Sequence, residues 1–355
     1  MPMTVDGPVA RRERITALVT SRGSARVSDL ALELGMAAVT VRRDVEALAE
    51  QGRLTRRHGI VTAALPGGPV LGTVVAVSCS SGAYLGEILH GAREAVAAHG
   101  GRYVLEVARG PVATRAAIER AASTRGVSGI LYAPRWHSPE EVSEDVSVPS
   151  WPTSPPLVLL ERFAPRGSAL AQRDAVRSDH ATGVHLALSH LRAHGHRRIL
   201  TFCRDDSPTS RTVRACLPDA LRSLGLPVLA EPLLSADHAD QQHRLTAPDP
   251  VEAVRRHGAT AILVHADPDA LSMLPRFAGA GIRVPDDLSI VTYDDVVAGL
   301  GEVRLTAVAP PKREVGRAAV DLLGWRTTAP DAPCRHLEIA PRLVERHSVR
   351  AIDHR

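Results

Sequence analysis

"AAVTVRRDVEAL", residues Ala37 to Leu48, sets two arginines and a threonine among evenly spaced aliphatics. Val41, Val45 and Leu48 recur at i, i+4 and i+7, the spacing of an apolar stripe along one helix face. At about 100° per residue, Val39, Arg43, Glu46 and Glu50 turn to the opposite side, with Thr40 and Arg42 flanking the stripe. The exposed face near the helix start therefore carries Val39, Thr40, Arg42 and Arg43. Taken alone, such a face is most simply a solvated charged surface. The segments on either side change that reading.

Upstream, "RRERITALVTSR" (11–22) has Ile15, Leu18 and Val19 at helical spacing and is followed by Gly23 as a stop. "VSDLALEL" (27–34) predicts a short helix with Leu30, Leu32 and Leu34 among its apolar positions, and "GMA" (35–37) predicts a tight turn. Downstream, "QGRLTRRHGIVTA" (51–63) predicts a small hairpin bearing Arg53, Arg56, Arg57 and His58. Helix, short helix, tight turn, amphipathic helix and basic wing make up the helix-turn-helix plan. Its second helix enters the major groove of DNA while flanking basic residues grip phosphates.

Residues 11–61 resemble the N-terminal domain of DeoR-type regulators. The family's recognition-helix core "TxRRDL" is matched by Thr40-Val41-Arg42-Arg43-Asp44-Val45, and its wing "GxLxRxHGG" by Gly52 to Gly59. Two positions depart: Ala37 stands where the family usually has a serine cap, and Ile60 replaces the second wing glycine. The resemblance implies DNA contacts from Val39, Thr40, Arg42, Arg43, Arg53, Arg56, Arg57 and His58. Arg42 and Arg43 suit guanine edges or phosphates, Thr40 a base or phosphate, and Val39 a thymine methyl. Which arginine reads a base stays open. Asp44, which phosphate would repel, is expected to pin an arginine or the preceding helix.

After "ALPGGP" (residues 64–69), a Pro/Gly linker, the pattern changes. Short β-branched runs such as "LGTVVAVS" and "VSGILYAP" alternate with amphipathic helices, which indicates βαβ units and parallel sheets. The alternation restarts after the proline-rich residues 148–156, so two halves and a two-lobed α/β domain are expected. The expected organisation is a DNA-binding domain at 1–63, a linker at 64–70 and a two-lobed domain at 71–350. The chain's 355 residues are too many for one ordinary core.

This second part resembles the LacI/GalR-type effector domain, which has the periplasmic-binding-protein fold. "SHLRAHGHRRI" (189–199), "ILVHADPDA" (262–270) and "GIRVPDDLSIVTYDD" (281–295) carry the resemblance, which covers about 280 residues. It implies a cleft for a small carbohydrate-like effector and ligand contacts from Tyr84, Arg162, Asp179 and Asp294. For both aspartates, helix capping after a strand is the competing reading. Two departures bear on the ligand. Ala266 stands where the family has an asparagine, and Arg214 is displaced by one from the family's arginine.

Net charge is +4, which tolerates nucleic acid without demonstrating it, and Lys312 is the only lysine. Cys79, Cys203, Cys216 and Cys334 are far apart and form no CxxC, so neither a disulfide framework nor a zinc ribbon is expected. His194 and His196 belong to a helix–strand turn, where a structural role outweighs metal. No metal site, cofactor or catalytic constellation is expected, and therefore no enzyme. The arginines of the N-terminus precede no apolar core, and no apolar run reaches membrane-spanning length; a cytoplasmic protein is expected. Taken together, a homodimeric regulator is expected, a repressor that binds double-stranded operator DNA. The runner-up is a sugar-binding protein without regulatory DNA binding.

Overall fold

The apolar stripe of Ala37–Leu48 is buried as its spacing requires: Val41, Val45 and Leu48 are sealed from solvent. They lie on helix α3 (Ala38–Glu50), which follows α1 (Pro8–Arg22), strand β1 (Ser24–Arg26) and α2 (Val27–Leu34) and precedes β2 (Leu54–Arg57) and β3 (Ile60–Ala63). The computed structural model describes residues 8–22, 24–50, 54–57, 60–63, 71–80, 82–134, 136, 151–204, 207–229, 233–234 and 249–352. Arg53, His58 and the linker at 64–70 fall outside these residues.

One cluster joins Ile15 and Val19 of α1, Leu30 and Leu34 of α2, the α3 stripe, Leu54 and Val61. Gly35 closes α2 in the left-handed conformation (φ 64), and Met36 N–H returns to the Ala31 carbonyl at 2.9 Å. This hydrogen bond ends the helix and sets the angle of α3. Leu30 and Leu34, one helical turn apart, face the core, whereas Leu32 falls on the far side and is 87 % exposed. The wing pairs β2 with β3 in antiparallel register, as its sequence predicts, and β1 adds a third strand against β3.

The rest of the described chain builds two six-stranded sheets. The first has the order β14-β8-β7-β6-β4-β5, from β4 (Thr73–Ser78), β5 (Arg102–Val107), β6 (Val127–Ala133), β7 (Leu157–Leu160), β8 (Asp174–Ser178) and β14 (His336–Ile339). The second has the order β10-β9-β11-β12-β13-β15, from β9 (Ile199–Cys203), β10 (Leu233–Leu234), β11 (Ala261–His265), β12 (Ser289–Tyr293), β13 (Thr306–Ala309) and β15 (Arg342–Val344). Every pairing in them is parallel except β13 with β15. Strands β7, β11, β12 and β13 are buried from end to end, as apolar strands covered on both faces must be.

The division between lobes differs from the sequence expectation. Strands β7 and β8 follow the proline-rich stretch, yet β7 pairs with β6 and β8 with β7, so the first lobe runs on to Ser178. Alternation of strand and helix marks βαβ units but not which sheet a strand joins; hydrogen-bond register decides that. The chain crosses between lobes after β8, after β13 and between β14 and β15.

Helix α4 (Ala83–Ala98) packs against α10 (Lys312–Thr328) in the first lobe. Two glycines make this crossing possible. A Cβ on Gly316 would lie 2.0 Å from the Ile88 carbonyl oxygen, and one on Gly91 would lie 2.1 Å from that of Arg313. Glycine to alanine in a helix normally gains about 1 kcal/mol. At Gly316 the sign reverses: Gly316→Ala lowers the stability of the two-lobed part by about 1–3 kcal/mol in urea unfolding followed by circular dichroism.

Candidate functional site

Two surfaces carry chemistry. The first is the outer face of α3. Val39 is 64 % exposed, Arg42 and Arg43 are exposed and Thr40 is half-buried, so the face read from the helical period is present. Asp44 turns the other way and is 2 % exposed. Its carboxylate takes a hydrogen bond from Arg11 Nε and another, at 3.0 Å, from Arg12 Nε, both on α1. Burial alone would raise its pKa, but the two guanidiniums outweigh that and hold the carboxyl below its ordinary value. The expected partner of Asp44 is thus a pair of α1 arginines. This clamp ties α3 to α1 and keeps a negative charge away from the arginine face. Arg56 and Arg57 lie on β2, and their side chains are outside the described ones.

The second surface is a cleft of about 670 Å³ between the lobes. Trp136, Arg162, Phe163 and Arg177 line it from the first lobe, and His180, His185, Arg211 and Thr212 from the second. These residues sit at or beyond the C-terminal ends of β6, β7 and β8 and on helices α6 (His180–Ala193) and α7 (Pro208–Ser223). That is where open α/β sheets bind ligands.

Glu161, immediately after β7, is the electrostatic centre of the cleft. It is 2 % exposed and has a left-handed backbone (φ 58). Tyr84 Oη donates to its Oε1 at 2.6 Å; Ser178 donates to its Oε2 through the backbone N–H (3.1 Å) and the hydroxyl (3.2 Å). His180 Nε2 stands 3.2 Å from Oε1, in ion-pair range but at an angle too poor for a hydrogen bond. Burial pushes this carboxyl up, yet His180, Arg162 and Tyr84 together pull it down to about 2. The other imidazole nitrogen, His180 Nδ1, lies 3.2 Å from Tyr293 Oη of the second lobe. Gly183 leaves room for that hydroxyl, since a Cβ there would lie 2.1 Å from it. One buried polar chain, Tyr84–Glu161–His180–Tyr293, therefore crosses from lobe to lobe.

Asp294 follows β12 as Glu161 follows β7, and it also has a positive φ of 95. Its Oδ1 makes no hydrogen bond among the described residues and is 3.9 Å from His265 Nε2. Burial, reinforced by Asp267, raises its carboxyl to about 7 against the opposing pull of Lys312 and His180. Lys312 Nζ donates to the Asp294 carbonyl and stands 5.7 Å from the centre of the Tyr84 ring. Asp267 accepts from Val296 N, Val297 N and Thr292 Oγ1 and so fixes the loop that carries Asp294.

Of the four expected ligand contacts, Arg162 lines the cleft, Tyr84 belongs to the polar network around Glu161, and Asp294 is coupled to that network only through its charge. Asp179 is the N-cap of α6, its carboxylate taken by Thr182 N (2.9 Å) and Thr182 Oγ1 (2.6 Å). Sequence reasoning missed Glu161, His180 and Arg211. Each had a faint signal. Glu161 adjoins Arg162 and ends an all-apolar strand, His180 adjoins Asp179, and Arg211 lies one helical turn before Arg214. The arginine at the cleft is Arg211 and not Arg214, because α7 presents the earlier turn to the first lobe. The turn histidines have structural partners: His196 contacts Thr260 Oγ1 (3.0 Å) and the Arg350 carbonyl (2.9 Å).

Residues 11–64 match the family of DeoR-like helix-turn-helix domains, and residues 188–349 match that of periplasmic binding protein-like domains. The transcriptional repressor PurR of Photobacterium profundum is 28% identical over 189 residues, 51% of this chain and 54% of that protein. The chain thus matches about half the length of this curated relative. The fold is that of the transcriptional regulator CelR in its cellobiose complex (TM-score 0.64, 23% identity, 88% of this chain and 91% of that one). It is equally that of the lac repressor dimer bound to operator and the anti-inducer ONPF (TM-score 0.63, 22% identity, 79% and 94%). This chain joins a DeoR-like helix-turn-helix domain to a periplasmic-binding-protein-like domain.

The Glu161 network is open to a direct check. A carboxyl held at about 2 stabilises the fold above its ordinary pKa of 4.5, and that stabilisation is lost as pH falls from 4.5 towards 2. Glu161→Gln should therefore lower unfolding free energy at pH 7 by on the order of 3 kcal/mol. The gap between wild type and variant should close as urea titrations move below pH 4.5. A gap independent of pH would contradict this origin.

Proposed function

We propose that this chain is a cytoplasmic one-component transcription regulator, a repressor that binds double-stranded operator DNA as a homodimer and responds to a small effector in the cleft. The observation that carries the proposal is the division of charge on α3: Asp44 is clamped inward by α1, while Arg42, Arg43, Thr40 and Val39 face outward from a winged helix-turn-helix. A helix with that face suits the major groove, where arginine can meet guanine O6 and N7 together. Two-fold pairing of protomers predicts a pseudo-palindromic operator. The names of the PurR relative and of the lac repressor agree with repression.

The effector acts by preferring one arrangement of the lobes. The Tyr84–Glu161–His180–Tyr293 chain and the three crossovers give closure a defined path between them. A ligand that bridges both lobes stabilises the closed arrangement and thereby alters operator affinity. By reciprocity, operator DNA alters ligand affinity by the same factor. The chain has no catalytic role in this scheme.

Fluorescence anisotropy of the full chain on its own upstream DNA, against scrambled DNA at two salt concentrations, tests the proposal. Arg42→Ala/Arg43→Ala should lose at least about 1–3 kcal/mol of sequence preference while retaining the wild-type melting profile. Equal binding to both DNAs that the double substitution does not change, together with no enriched fragment in a genome-wide selection, would overturn it.

A further inference from the structure

A neutral polyol is gripped through its hydroxyl pairs by carboxylates and amides with free acceptor positions. The described lining of this cleft is short of them. Glu161 is 2 % exposed, and its Oε1 and Oε2 already accept from Tyr84 and both donors of Ser178 with His180 in ion-pair range, which leaves little of it for a ligand. Asp219, at the outer rim, pairs with Arg222 at 2.6 Å. Asp179 is committed to the start of α6. Ala266 offers no side-chain amide.

Donors, in contrast, converge from both lobes. Arg162 is largely buried beside Glu161, whose backbone carbonyl its Nη1 reaches at 2.5 Å. Arg177 stacks 4.0 Å over the Phe163 ring and pairs with Glu338 at 2.6 Å, which leaves its guanidinium plane fixed along the wall. Arg211 reaches across the cleft from α7 to the backbone carbonyl of Trp136 in the first lobe. Thr212, His180 and His185 add further polar atoms. A donor-rich, acceptor-poor cleft with an arginine from each lobe matches an acceptor-only group, and guanidinium is the side chain best shaped to meet oxyanions.

We propose that the effector carries an oxyanion, a carboxylate or a phosphate, held between Arg162 of the first lobe and Arg211 of the second, with its less polar body against Trp136 and Phe163. This rests on the reading of the cleft as the effector site and narrows the ligand class. It also supplies the differential affinity that switching needs: only the closed arrangement brings both guanidiniums to one anion.

The test is a ligand titration of the full chain without DNA, read by isothermal calorimetry and by tryptophan fluorescence. The probes are glucose, gluconate, glucose 6-phosphate and inorganic phosphate, at low and at moderate salt. At least one oxyanion probe should bind about tenfold or more tighter than glucose and weaken with salt. Whichever of the three binds separates carboxylate from phosphate. Arg211→Gln and Arg162→Gln should each remove most of that preference, Arg211→Lys should restore part of it, and Arg115→Gln, at a remote exposed pair, should leave it unchanged. Circular dichroism confirms that each variant is folded. Glucose binding as tightly as the oxyanions, oxyanion binding indifferent to both substitutions, or failure of all three oxyanions to bind would each overturn the proposal. Because DNA is absent, these outcomes are independent of whether the α3 face recognises an operator.

Discussion

A single desolvated carboxylate organises the cleft. Glu161 sits at the end of β7 in a left-handed conformation that costs on the order of 1–3 kcal/mol, in a place where an unpaired charge would be prohibitive. It is tolerated because Tyr84, both donors of Ser178 and His180 surround it. Those partners come from the first βα turn, the end of the neighbouring strand and the first crossover. Meeting the needs of one charge thus fixes the relation of three segments and, through Tyr293, that of the second lobe. The cleft arginine Arg162 is the next residue in the chain and hydrogen-bonds back to the Glu161 carbonyl.

The same logic operates in the DNA-binding head on a smaller scale. Asp44 and Arg43 are neighbours, yet helical geometry sends one into the protein and the other into solvent. The buried member is held by two α1 arginines, and its removal from the surface leaves α3 with a positive outer face. In both places a run of mixed charge in the sequence resolves into a carboxylate that turns inward and secures the fold and an arginine that faces the candidate ligand surface, exposed on α3 and lining the cleft at Arg162.

The lobes contribute unequal charge environments at equivalent positions. Glu161 and Asp294 each follow a central strand with a positive φ, but one is surrounded by donors and stays ionised, while the other lies near Asp267 with a carboxylate oxygen that no donor meets among the described residues. Asp294 is therefore raised to about 7, whereas Glu161 is held down at about 2. The difference arises from the donors nearby and not from burial, which both share.

The sequence by itself determined the elements and the classes of domain. The i, i+4, i+7 stripe of α3, the turn at Gly35 and the basic hairpin define the head, because helical and strand periods act locally. The alternating β-branched runs define parallel βαβ units for the same reason. Arg42, Arg43 and Thr40 were legible as a face of the helix from its period, and Arg162 as a cleft residue through the resemblance to the LacI/GalR-type effector domain. Tertiary structure alone decided the rest. It assigned β7 and β8 to the first lobe, made Asp179 a helix cap, brought Arg211 to the cleft in place of Arg214, and set Tyr84, Glu161, His180 and Tyr293 in one line. Those residues span Tyr84 to Tyr293, more than two hundred positions, and nothing periodic links them. Their association follows from sheet order and from the demand that a buried charge find its partners, and both exist only once the chain is folded.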